Sequence, residues 1–175
     1  MWRKTLKVVL ALLLGLPSVA CGYRLAGQGA SLPPEVKVIA IPAFENQTGW
    51  MRLEQRLTAA VMQEFIHRTR YQVVGRAEEA DAVLQGTVKT ATTGPAIFDP
   101  TTGRASAAAV AVTVAVELRD LRSKKILFAN PNYLFREQYE ISGDLDSFFE
   151  ERGPALERLA RDFAASLVSA ILENF

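Results

Sequence analysis

Cysteine and histidine each occur once in this chain of 175 residues, as Cys21 and His67. A structural zinc site draws four ligands largely from those two residue types, and Cys/His nucleophilic catalysis needs at least one of each in a pair, so the composition argues against both. His67 sits beside Arg68 and close to Arg70; it reads as an exposed residue near a helix C-terminus, where cations and imidazoles suit the dipole. A glycine-rich phosphate loop and a Gly-x-Ser-x-Gly elbow are both missing. Glu78, Glu79 and Asp81 read as a solvated turn ahead of a strand. The chain therefore reads as a non-enzyme without a cofactor. Neither charge sign dominates, with 20 Lys and Arg against 19 Asp and Glu, so no bulk attraction draws it to nucleic acid. Beyond residue 20 the apolar runs are strand-sized, too short for a membrane span.

What the first residues do contain is an address. Arg3, Lys4 and Lys7 precede an unbroken apolar run over residues 8–16, and Pro17-Ser18-Val19-Ala20 leads to Cys21. A positive start, an apolar core too short to span a bilayer and small residues before the cut describe a signal peptide over residues 1–20. Ending the signal in a lone cysteine resembles a bacterial lipobox, with Ser18 where leucine is usual. Cys21 is then the lipid attachment residue; the alternative is a buried core cysteine after ordinary cleavage. An unpaired thiol is unusual in an oxidising compartment, whereas a thiol consumed by acylation is not. One acyl chain binds a membrane only marginally, and bacterial lipoproteins of this type carry several. Removing residues 1–20 also removes three cations, which leaves the mature chain slightly acidic.

Residues 21–35 read as the acylated cysteine and a tether, with three glycines and the stiff Pro33-Pro34 pair before the first folded element. Residues 36–175 read as a single α+β domain. The β-branched run 36–41 suits an interior strand closed by Pro42, and Asn46-Gln47-Thr48-Gly49 reads as a turn. Leu53, Leu57, Val61 and Phe65 recur at helical spacing, with Arg52, Gln55, Arg56, Gln63 and Arg70 on other sides. A short strand over 71–74 completes a βαβ pattern. Residues 82–90 alternate as a strand, followed by a loop containing Gly94-Pro95, Asp99-Pro100 and Gly103-Arg104. From Ala108 onward the even positions Val110, Val112, Val114, Val116 and Leu118 form one branched face. The odd positions Ala107, Ala109, Ala111, Thr113 and Ala115 form a strip of small side chains. That strip either underlies a helix or permits close approach of a second surface. A long strand over 126–141 is interrupted by Asn130-Pro131-Asn132, which implies an edge strand or a bulge. The C-terminal region is helical, with Pro154 at a restart and Leu156, Leu159, Phe163, Leu167 and Ile171 as its apolar stripe. The expected architecture is a two-layer sandwich: a mostly antiparallel sheet of about four to five strands with two helices packed on it.

Several segments together resemble one family, the LPS-assembly lipoproteins (LptE) of double-membraned bacteria. They are Cys21-Gly22-Tyr23-Arg24-Leu25, Leu32-Pro33-Pro34, the stretch 38–48, Leu53-Glu54, Phe65, the stretch 80–86 and the stretch 141–145. The resemblance implies a non-catalytic protein held by its N-terminal lipid at the periplasmic face of the outer membrane. There it would plug and help assemble the LPS translocon barrel (LptD) and assist delivery of lipopolysaccharide to the cell surface. It also implies two helices on a mostly antiparallel sheet, in agreement with the residue patterns. A basic residue expected to contact LPS in the loop between the two middle strands falls at Arg104. Lys89, Arg122, Lys124 and Lys125 are further candidate LPS contacts, although cations near hairpin ends also serve solubility. The rival reading is a pilotin-like or envelope-scaffold lipoprotein serving another outer-membrane machine, and the captured partner distinguishes the two.

Overall fold

The computed structural model describes residues 32–101, 103, 105–140 and 145–173, with the side chains of the last helix described from Gly153. In chain order the elements are β1 (Val38–Ala40), β2 (Glu45–Asn46), α1 (Leu53–Arg68), β3 (Gln72–Val74), a 3₁₀ turn (Ala77–Glu79), β4 (Ala82–Phe98), β5 (Ala105–Asp120), β6 (Ile126–Glu140) and α2 (Leu145–Glu173). The sheet runs β3-β1-β4-β5-β6, with β2 pairing to β4 off that path. It is α+β and mixed: β1 pairs in parallel with β3 and β4, and β2 in parallel with β4. The two long pairings, β4 with β5 and β5 with β6, are antiparallel. The strand count exceeds the expected four to five because Asn46, read as a turn residue, joins Glu45 in a short strand against Thr87 and Val88.

Helix α1 buries Leu53, Leu57, Val61 and Phe65, the i, i+4 stripe expected of a helix lying on a sheet. Thr58 is the one buried polar residue among those described. Its hydroxyl donates to the Glu54 carbonyl (2.6 Å) and accepts the Phe44 amide (3.0 Å), so burial leaves nothing unsatisfied. Helix α2 buries Leu156, Leu159, Phe163, Leu167 and Ile171. It runs unbroken through Pro154 rather than restarting there. The two helices lie side by side in parallel, linked by the Arg56–Glu157 ion pair and by Arg68 donating to Ser169 Oγ (2.5 Å).

Both helices cover the same side of the sheet. Val110, Val112, Val114, Val116 and Leu118 are all buried in one cluster with Leu57, Phe65, Phe163 and Leu167. At its centre Phe163 meets Phe135, Tyr133 and Phe44 edge-on, at ring-centroid distances of 5.2, 6.1 and 6.5 Å. Phe44 lies over Gly86, where any Cβ would sit 2.5 Å from its ring.

Strand β4 does not end at residue 90 but continues through Gly94 and Pro95 to Phe98. Two features permit this. Lys89 is an extra residue in a bulge between Val88 and Thr90, which shifts the phase so that Ala91 packs against the core. Past Val88 no described strand pairs with the other edge of β4, so the missing N–H of Pro95 costs no ladder bond there. Strand β6 is both an edge and bulged: its register slips where Val114 faces Tyr133 and Val116 faces Asn130, so the extra residue lies around Pro131.

Candidate interaction site

The expected site residues divide between the two ends of the long strands. Cys21 and Arg104 lie outside the described residues. Strand β4 ends at Phe98 and β5 begins at Ala105, so the loop carrying Arg104 joins them at one end of the sheet. Arg122, Lys124 and Lys125 lie in the β5–β6 turn at the opposite end. The full length of β5 separates the two ends, about 50 Å at strand rise. Lys89 lies between them, exposed at the β4 bulge. The fold thus gathers the three turn cations and keeps Lys89 and the Arg104 loop apart from them.

The turn is built by Asp120. Its carboxylate accepts the amides of Arg122 and Ser123, both at 2.8 Å, and the Asp120 amide donates to the Lys125 carbonyl (2.9 Å). The Ser123 amide leads the contacts that hold the Asp120 carboxyl below the usual carboxylate range. Lys124 takes the left-handed conformation, φ 61°, and Lys124 and Lys125 are both exposed.

Arg122 is not free: its guanidinium donates to Asp81 Oδ1 at 2.7 Å. The other oxygen, Asp81 Oδ2, accepts the amides of Lys37 (3.0 Å) and Val38 (3.1 Å). The Asp81 amide donates to the Val38 carbonyl, and the Leu121 amide to the Asp81 carbonyl. This one residue therefore pins the start of β1, the start of β4 and the β5–β6 turn together. The Lys37 amide, then the Val38 amide, hold its carboxyl below the usual carboxylate range. Reading the acidic cluster as a solvated turn holds for exposed Glu78 and misses Asp81, whose side chain is only 16% exposed. Glu79 pairs with Arg76. A signal was present in the sequence: Asp81 abuts a strand, and a short carboxylate at that position is suited to accepting backbone amides.

The same end of the sheet receives the tether. Leu32 and Val36 are buried, and the Leu32 amide donates to the Tyr71 hydroxyl at 3.0 Å; burial raises the Tyr71 pKa. Pro34, Glu35, Lys37, Asp81 and Arg122 line an open cleft of about 310 Å³ there. A second depression of about 420 Å³ lies by the 46–52 loop. Asn46 organises that loop, its Nδ2 donating to the Trp50 carbonyl (2.8 Å) and Glu54 Oε2 (2.7 Å) and its Oδ1 accepting from Thr48. His67 is exposed in the last turn of α1, as its neighbours suggest. Among the described residues no group of His, Cys, Asp and Glu is arranged to hold a metal, and no helix is long and apolar enough to cross a membrane.

The small-residue strip has a definite place. Ala109, Ala111, Thr113 and Ala115 are half-exposed, on the side of β5 away from both helices. Thr87, Thr90 and Thr92 of β4 flank them, with Leu134, Arg136 and Gln138 of β6 on the other side. The reading in which this strip underlies a helix is therefore corrected for residues 109–115: both helices pack on the valine face, and no described element covers Ala109, Ala111, Thr113 or Ala115, whereas Ala107 is buried. Leu134 on this face is 52% exposed.

A family model for LptE, described as lipopolysaccharide-assembly, matches residues 36–171. The chain belongs to the LptE family. No curated protein matches the sequence. Among solved structures, lipoprotein B from Nitrosomonas europaea is similar at 16% identity and a TM-score of 0.56, over 86% of this chain and 90% of that one. PelC from Paraburkholderia phytofirmans, solved as a dodecamer, matches at 15% identity and 0.52, over 78% and 86%. A lipoprotein from Caulobacter crescentus matches at 13% and 0.51, over 75% and 88%. At these identities the likenesses concern the fold, and it is the family match that makes this an LPS-assembly lipoprotein.

Proposed function

We propose that this LptE-family protein is lipid-anchored through Cys21 at the periplasmic face of the outer membrane, where it plugs and helps assemble the LptD barrel and assists LPS insertion. The observation that carries this reading is the uncovered side of the sheet. Over residues 109–115 the outward side chains of this central strand are alanine and threonine, and such a flat small-residue stretch allows a second backbone to approach closely. The partner sought is therefore a broad wall rather than a small ligand. A non-enzymatic role accords with the family's description, lipopolysaccharide-assembly.

Co-purification of the lipidated chain from outer membranes tests the partner: capture of LptD supports the reading, whereas capture of a secretin or of peptidoglycan supports the pilotin-like or scaffold alternative. For LPS contact, Arg104 is the lead candidate and Lys89, Arg122, Lys124 and Lys125 are the others. Arg122 differs from the others in that Asp81 holds one side of its guanidinium. Arg104→Asp is expected to weaken LPS binding in a salt-sensitive way, since few placed cations serve a near-neutral chain. A Lys124/Lys125 double substitution losing binding while Arg104→Asp keeps it would move the site to the turn.

A further inference from the structure

The cleft where the tether joins the domain carries two charged residues, Glu35 and Lys37, beyond the Asp81–Arg122 contact that pins the strands. Lys37 and Arg122 supply two cationic side chains and Glu35 one carboxylate around a space of about 310 Å³, at the lower end of the range for small-molecule sites, roughly 300–1,000 Å³. Asp81 also lines it, but its two oxygens are occupied by the Lys37 and Val38 amides and by Arg122. Its part is to fix the guanidinium, which is 71% exposed and keeps donors for a ligand. Among the described residues neither Glu35 nor the Lys37 ammonium forms an ion pair. The cleft thus offers two cations beside one available anion.

We propose that this cleft binds the phosphoethanolamine headgroup of a membrane phospholipid. The phosphate would lie against Arg122 and Lys37, as charge-assisted hydrogen bonding favours, and the primary ammonium would donate to Glu35. Location supplies the second argument. Pro34 and Glu35 line the cleft, and Leu32 just before them is locked to the domain by burial and by Tyr71. The chain between Cys21 and Leu32 extends at most about 40 Å. An acyl group on Cys21 therefore holds the cleft within reach of the bilayer surface. Binding one headgroup becomes an intramolecular event at millimolar effective concentration, so a weak site suffices to orient the domain. The far loop, about 50 Å away along β5, then points away from that leaflet. The abundance of headgroups rests on the lipid-anchor reading; the chemistry of the cleft does not.

The test uses the chain from residue 21 onward, carrying Cys21→Ser, sedimented with vesicles of phosphatidylcholine alone, of phosphatidylcholine with phosphatidylethanolamine, and of phosphatidylcholine with phosphatidylglycerol. Several-fold more binding is expected with phosphatidylethanolamine than with phosphatidylcholine, whose quaternary ammonium has no proton for Glu35. Soluble phosphoethanolamine should compete more strongly than inorganic phosphate. Glu35→Gln should abolish the preference for ethanolamine, and Lys37→Gln should weaken binding to every phosphate-bearing vesicle while leaving the Asp81–Arg122 contact in place. Equal binding to the first two vesicles, binding to phosphatidylglycerol alone, or a preference untouched by Glu35→Gln overturns the proposal. Equal competition by inorganic phosphate overturns it in favour of a bare phosphate site. Failure of the anchor reading shows separately: mass spectrometry of the wild-type chain extracted from membranes would find Cys21 without acyl groups, and the vesicle result would stand.

Discussion

The two sides of β5 were made by one strand and have opposite fates. Even positions from 110 to 118 carry valines and a leucine that disappear beneath α1 and α2, while odd positions from 109 to 115 carry alanines and a threonine that stay half-exposed. A two-layer domain of this kind buries one face of its sheet and leaves the other to solvent or to a partner. An ordinary solvent face carries longer polar side chains throughout; this one is flat over residues 109–115 of the middle strand, with threonines on β4 and Leu134, Arg136 and Gln138 on β6 beside it. The helix side holds the domain together, and no described element covers residues 109–115 on the other side.

That division can be broken by charge. Val114→Asp puts an unpaired carboxylate into the core at a position 1% exposed. The cost is several kcal/mol, a large share of the roughly 5–15 kcal/mol that stabilises a domain, so the variant is expected to unfold or melt far below wild type. Ala111→Asp, on the bare side of the same strand, should leave the isolated domain nearly as stable as wild type. Equal loss of thermal stability in the two variants would contradict the assignment of faces.

Gly86→Ala should follow in size. The added methyl lands 2.5 Å from the Phe44 ring, and Phe44 in turn abuts Phe163, so the overpacking has no easy outlet and is expected to cost about 1–3 kcal/mol. Denaturant titration measures it. Pairing the change with Phe44→Leu, which empties the clash, should recover part of the loss.

The smallest of these effects is pH-dependent. Hydrogen bonds from the Lys37 and Val38 amides, and then Arg122, lower the Asp81 pKa in the folded chain. A carboxyl so lowered contributes stability above its unfolded value, about 3.9, and that contribution is lost as pH falls through the folded value. Asp81→Asn should therefore melt below wild type at pH 5 to 7, and the gap should narrow as pH falls below the unfolded value and on through the lower folded one. A gap constant across that range would mean that the carboxylate charge does nothing there.

How far these features could be read from sequence depends on whether they were local. The β5 alternation, the α1 and α2 stripes and the edge position of the Pro131 strand were legible, because each is a periodicity or a missing donor within one segment. The length of β4 was not. Gly94 and Pro95 signal a loop by themselves, and only the Lys89 bulge and the unpaired neighbouring edge make a strand possible there. Asp81 was misread for a similar reason, since its partners at Lys37, Val38 and Arg122 lie roughly 40 residues away on either side. The valine face was legible as the core side, whereas the cover of the small-residue strip was not: the strip fits a helix or a partner, and chain topology decides that the described helices lie on the valines. Among the candidate cations, the grouping of Arg122, Lys124 and Lys125 was evident in one turn, while their separation from the Arg104 loop by the length of β5 depended on the antiparallel register.

The central claim is that the bare sheet face meets the LptD wall. A photo-crosslinking residue placed at Thr113, in the middle of that face, and another at Gln63, exposed on α1, test it most directly in cells expressing the lipidated protein. The account predicts a strong LptD adduct from Thr113 and a weak one from Gln63. Adducts only from Gln63, or a Thr113 adduct to a different outer-membrane machine, would contradict it.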